Sequence, residues 1–97
     1  MSEHYDRGVA LLKEMMGAEF ADGMEKGAQS GAFGADVPTL AIEFAFGSVW
    51  NRSGLSKRDR SVVVISSLIT SKQPEELKNH IKIGLDNGLT TLELQEI

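Results

Sequence analysis

Ser56-Lys57-Arg58-Asp59-Arg60-Ser61-Val62-Val63-Val64-Ile65-Ser66-Ser67-Leu68-Ile69-Thr70 can be read in two ways, and the choice between them decides the fold class. The β-branched run Val62-Val63-Val64-Ile65 suggests a strand by composition alone. Its flanks point to a helix. Ser56 suits an N-cap, and Asp59 falls at the third helical position, where a carboxylate complements the positive helix end. From cap to Ser71 the segment is also much longer than a usual strand. Read as a helix, it is charged in its first turn and apolar all round after that. It leaves the chain without a strand, so the expected class is all-α.

The neighbouring segments agree. Upstream, Tyr5, Val9, Leu12 and Met16 recur at helical spacing over residues 3–16, and Gly17 is a plausible stop. Phe20 and Met24 mark a weaker helix to about Gln29. Ser30-Gly31-Ala32-Phe33-Gly34 reads as a flexible connection. Asp36 is placed to cap the next helix, with Pro38 in its first turn. From Val37 to Asn51 the one charge is Glu43, the pattern of a helix buried on nearly every side. Asn51 to Leu55 turns around Gly54.

Downstream, Pro74 opens a helix to Asn87 with Leu77, Ile81, Gly84 and Leu85 as its apolar face, and Asn87-Gly88 stops it. Thr90 and Glu93 have capping-box spacing for a last helix. Its apolar stripe, Leu92 and Ile97, has barely begun when the sequence ends, so a truncated C-terminal helix is expected.

Composition narrows the function. The 97 residues fit one small domain, 1–97, and carry 10 basic against 14 acidic side chains. There is no basic run, so no nucleic acid is expected as a partner. The longest apolar stretch, Val62 to Ile69, falls far short of the roughly 20 residues of a membrane span, so no membrane partner is expected. The segment after Met1 lacks the basic and apolar parts of a signal peptide, and a cytoplasmic location is the expectation. With no cysteine, disulfides, iron–sulfur clusters and thiol catalysis are excluded. A domain this small without staples is marginal alone, which favours burial in a homo-oligomer.

Three segments in order resemble the carboxymuconolactone decarboxylase family. They are Glu43-Phe44-Ala45-Phe46-Gly47-Ser48-Val49-Trp50-Asn51-Arg52-Ser53-Gly54-Leu55, then Leu55-Ser56-Lys57-Arg58-Asp59-Arg60-Ser61, then Glu76-Leu77-Lys78-Asn79-His80-Ile81-Lys82-Ile83-Gly84-Leu85-Asp86-Asn87-Gly88. The resemblance implies an alkyl hydroperoxidase D-like fold of about six packed helices, assembled as trimers or hexamers.

It also implies a choice of branch. The hydroperoxidase branch reduces peroxides through a Cys-x-x-Cys-x-x-x-His helix with an upstream glutamate. Aligning that histidine with His80 sets the cysteines on Gln73 and Glu76, and the glutamate on Ser61. Peroxidase chemistry is therefore not expected. The Trp-x-Arg and Glu-Leu-Lys-x-His segments resemble the decarboxylase branch, which removes CO2 from 4-carboxymuconolactone in aromatic-acid breakdown without cofactor or metal. Members of that branch continue beyond position 97 with a further long helix.

The residues suited to that reaction can be weighed against structural roles. His80 is the first choice for proton transfer. It lies at the edge of the Leu77–Ile81–Gly84 face, and Glu76 one turn earlier would raise its pKa, although a half-exposed helix residue with a salt-bridge partner fits nearly as well. Glu43, alone in an apolar helix, is the second; burial would make it an acid, although a structural carboxylate paired with an arginine fits slightly better, since buried charges are usually paired. Arg52 suits a substrate carboxylate or the negative end of its helix. Trp50 is a substrate-stacking wall or, more simply, core or interface. Arg58 and Arg60 sit at a helix start, which favours specific salt bridges. His4 lies near the chain end and is uninformative. No His, Asp and Glu have metal-ligand spacing, so neither a metal nor an organic cofactor is expected.

The expected function is a decarboxylase-like enzyme taking a small carboxylate. The helices at 37–51 and 74–87 would supply a carboxyl, a guanidinium and an imidazole to one site. The alternatives are a non-catalytic or ligand-binding oligomeric member, or a cysteine-free relative acting on another oxo-acid.

Overall fold

The computed structural model describes residues 2–97, and among these there is no strand. Six helices follow in order: α1 (Glu3–Met16), α2 (Ala18–Gln29), α3, α4 (Lys57–Thr70), α5 (Pro74–Asp86) and α6 (Thr91–Glu96). Helix α3 begins as an α-helix, Asp36–Leu40, and continues as a π-helix, Ala41–Val49. The all-α class read from the sequence is therefore observed, including the β-branched segment, which is α4. The chain forms two compact units. One runs to Arg52 and contains α1 to α3; the other, Ser53–Ile97, contains α4 to α6.

Helix α1 organises the first unit. The Ser2 hydroxyl accepts the Tyr5 N–H as N-cap, and Gly17 ends the helix at φ 92°. Tyr5, Leu11, Leu12, Met15 and Met16 are buried. Each contributes about 1.5–3 kcal/mol by leaving water. The α1–α3 contact is backbone against backbone. A side chain at Gly8 would overlap the Ile42 carbonyl, and one at Gly47 would overlap the His4 carbonyl. These two pairings run in opposite directions, so the helices are antiparallel.

That contact explains the π segment. Ile42 and Gly47 both face α1, yet they are five residues apart. Five α-helical residues turn through about 500°, which would leave the two roughly 140° out of line. Bonds from i+5 to i widen the helix and restore them to one face. The Trp50 N–H accordingly donates to the Ala45 carbonyl at 2.8 Å.

Two expectations for this unit are corrected. Asp36 is the first helical residue, and no side chain caps α3. Nor is α3 buried all round. Ile42, Gly47 and Trp50 are buried, but Val37, Leu40 and Phe44 are 70, 63 and 67 % exposed. Phe20 of α2 is also exposed, and Ala21 is the buried residue there.

In the second unit the local signals hold. The Ser56 hydroxyl accepts the Asp59 N–H, Pro74 opens α5, and Thr90 with Glu93 forms a reciprocal capping box. Helices α4 and α5 meet at Gly84, where an added Cβ would lie 3.2 Å from Ile65 Cδ1 and 3.7 Å from Ser61 Cβ. Ser61 is fully buried and accepts a 3.1 Å bond from the Asn87 side-chain amide. Arg58 bridges to Asp59 and to Glu93, so its salt bridges lie within the unit.

The inward face of α5 differs from the one expected. His80, Ile83, Gly84 and Asn87 are buried or half-buried, whereas Ile81 and Leu85 are exposed. Gly84 is common to both faces. Its missing side chain admits α4, and the side of the helix that turns inward with it is that of His80, Ile83 and Asn87.

Candidate functional site

His80 lies in the middle of the inward stripe of α5, not at the edge of an apolar face. It is half-buried. Burial lowers its pKa below the ordinary 6.5, and the Glu76 carboxylate one turn earlier opposes that shift without overcoming it. This corrects the expectation of a raised value. Glu76 is exposed, so water screens its charge while the ring loses hydration. His80 is therefore mainly neutral at neutral pH and a stronger acid when protonated.

The same helix starts beside an apolar hollow of about 360 Å³ lined by Leu68, Ile69, Lys72, Gln73, Pro74 and Leu77. Leu77 stands one turn before His80. Gln73 and Glu76, the positions aligned with redox cysteines, carry an amide and a carboxylate, neither of which can act as a thiolate.

Glu43 belongs to the first unit, on the π segment. It is half-buried, and its carboxylate accepts a 3.2 Å bond from the Ser2 hydroxyl. A pocket of about 230 Å³ is lined by Glu43, His4, Ser48, Leu40 and Phe44. Within it the Ser48 hydroxyl donates to the Glu43 carbonyl at 3.3 Å and lies 3.5 Å from His4 Nδ1. The i to i+5 register of the π-helix is what sets Ser48 over Glu43.

His4 is thus beside Glu43, a neighbour that its position in the sequence concealed. His4 stands in the first turn of α1, behind the Ser2 cap, and no spacing links residue 4 to residue 43. Trp50 is buried, 6 % exposed, and closes α3. Arg52 follows in the turn, exposed, with its N–H donating to the Val49 carbonyl at 3.1 Å. The structure thus brings Glu43 together with Ser2, His4 and Ser48, while His80 lies in the other unit on α5 with Glu76. Among the described residues no three His, Asp or Glu stand close enough to hold a metal, and no helix is long and apolar enough to cross a membrane.

Comparison with known proteins places these helices. The pattern of the carboxymuconolactone decarboxylase family matches residues 35–97, and the chain belongs to that family. It is 32 % identical over 92 residues to the nitrosuccinic acid decarboxylase npaB of Metarhizium robertsii, covering 95 % of this chain and 63 % of that protein. It is 30 % identical over 95 residues to the 4-carboxymuconolactone decarboxylase of Acinetobacter baylyi, covering 98 % of this chain and 69 % of that protein. The chain thus spans about two thirds of the length of these relatives. No solved structure gives a significant match.

Proposed function

We propose that this chain is the subunit of a cofactor-free decarboxylase acting on a small, activated carboxylic acid such as 4-carboxymuconolactone, in the breakdown of aromatic acids. The observation that carries the reading is that two relatives at about the same identity, from different organisms, are both named decarboxylases. The half-buried His80 on the helix that borders an apolar hollow is suited to the chemistry.

The bond from carbon to the carboxylate breaks, CO2 leaves, and its electron pair moves into the conjugated carbonyl. An acid then delivers a proton to carbon. His80 and Glu43 are the proton-transfer groups. Arg52, with a planar fork of donors, binds a substrate carboxylate, and Trp50 fixes the helix end that carries it. An apolar lining favours loss of charge from the departing carboxylate.

Assembly as a homo-oligomer, trimer or hexamer, accompanies this reading. Val37, Val63 and Leu92 are each at least 60 % exposed, apolar surface that neighbouring subunits would cover.

A spectrophotometric assay with 4-carboxymuconolactone and with nitrosuccinic acid tests the activity. Turnover of either supports the proposal, and its loss in His80→Gln assigns the residue. If the assembled protein turns over neither, the proposal falls, leaving a binding or structural member of the family or a relative acting on another oxo-acid. A monomer by sedimentation would remove the oligomer.

A further inference from the structure

We propose that His4 is a second acid–base residue of the Glu43 pocket, held by Ser48 so that its Nε2 is the nitrogen that exchanges protons. The inference rests on the reading of Glu43 as a proton-transfer group and adds a residue to it. Helix α1 brings the imidazole to the pocket through the close approach of Gly47 to the His4 carbonyl. The π-helical register brings Ser48 to the same place.

The hydrogen count then sets the tautomer. Ser48 has one hydroxyl proton, and it donates that proton to the Glu43 carbonyl at 3.3 Å. With that proton on the carbonyl, Ser48 Oγ accepts from His4 Nδ1, 3.5 Å away. This arrangement puts the proton of the neutral ring on Nδ1 and leaves the Nε2 lone pair free. Leu40 and Phe44 supply an apolar wall of the pocket, suited to a small planar conjugated acid. In the reaction the C–CO2 bond breaks and its electron pair enters the conjugated group. The Nε2–H of protonated His4 forms the new C–H bond, and His4 regains its proton from water. The charged groups near the ring are Glu43 on α3, and Glu3 and Arg7 on α1, which pair with each other at 2.7 Å.

The chain has two histidines, so His80→Gln assigns the ring nitrogen signals of a 15N-labelled sample directly. With its ring neutral, His4 of the full chain should show the Nδ1–H tautomer, and Ser48→Ala should shift it toward Nε2–H. An Nε2–H ring in the unaltered protein, or no response to Ser48→Ala, overturns the proposal. With 4-carboxymuconolactone, His4→Gln should lower kcat by roughly 100-fold with little change in KM. Unchanged kcat with an unchanged pH profile also overturns it. If the unaltered protein shows no turnover, the decarboxylase reading fails by itself, and the tautomer still decides the placement of His4.

Discussion

Gly47 of α3 lies directly against the main-chain carbonyl of His4 in α1, and Gly8 of α1 stands in the same relation to Ile42. The two helices therefore touch at two points where a single methyl group has no room. The obstructing atoms are backbone and cannot swing aside. Gly8→Ala and Gly47→Ala should each destabilise the protein by about 3 kcal/mol. Gly23 lies within α2 with nothing near its would-be Cβ, and Gly23→Ala should stabilise by about 0.5–1 kcal/mol through helix propensity. Urea unfolding of the three variants checks the contrast. Equal effects at all three would show that close approach is not what these glycines provide.

A second pair of positions tests backbone strain. Helices α4 and α5 end in the same motif. In α4 the Gln73 N–H reaches the Leu68 carbonyl and Lys72 that of Ile69; in α5 Leu89 reaches Gly84 and Gly88 reaches Leu85. The left-handed residue is Gly88 at φ 106° in α5 but Lys72 at φ 58° in α4. Lys72→Gly should therefore raise stability by about 1 kcal/mol, and Gly88→Ala should lower it by about as much. Thermal melts of the two variants should move in opposite directions.

His80 links stability to pH. Its folded pKa lies below the unfolded value near 6.5. The unfolded chain thus binds more protons between the two values, and stability rises with pH across that window. The contribution is complete above about pH 6.5 and is lost as pH falls through the folded value. Other groups titrate nearby, so the readout is a difference. The stability gap between His80→Gln and the unaltered protein should change between pH 8 and pH 5. A constant gap would place His80 in water.

The cap on α6 gives a smaller, cleaner effect. Thr90 Oγ accepts the Glu93 N–H at 3.0 Å, and Glu93 accepts the Thr90 N–H at 3.0 Å. That backbone bond, before any contribution from Arg58, holds the Glu93 carboxyl below its usual range. Thr90→Ala should cost about 1 kcal/mol, read as faster amide exchange at Glu93 and Leu94. Exchange rates that do not change would mean that α6 is held by packing instead of its cap.

What the sequence discloses here is what is decided locally. Ser56, Pro74, Thr90 and Gly17 act through bonds to residues a few positions away, and each sits where its pattern puts it. The π segment is different. Its cause is an antiparallel neighbour some 40 residues upstream, through Gly8 and Gly47, and no window around Ala41–Val49 contains that fact. Apolar content misleads for a related reason. Val37, Leu40 and Phe44 are apolar yet exposed, because hydrophobicity indicates a wish for cover and not what supplies it. His80 could be chosen from a resemblance, but the sign of its pKa shift could not. That depends on how α5 rotates to seat Gly84 against α4. His4 was passed over because only the fold brings it beside Ser48.

The widened segment Ala41–Val49 amounts to an α-helix that has absorbed surplus backbone. Removing one residue from it would let the ladder tighten to the ordinary register instead of tearing it. Four α-helical residues turn through about 400°, so Ile42 and the glycine after it would still share the face toward α1, and Trp50 would keep its niche. A one-codon deletion at this point would thus be taken up inside the helix, leaving the aim of Trp50 and Arg52 as it was.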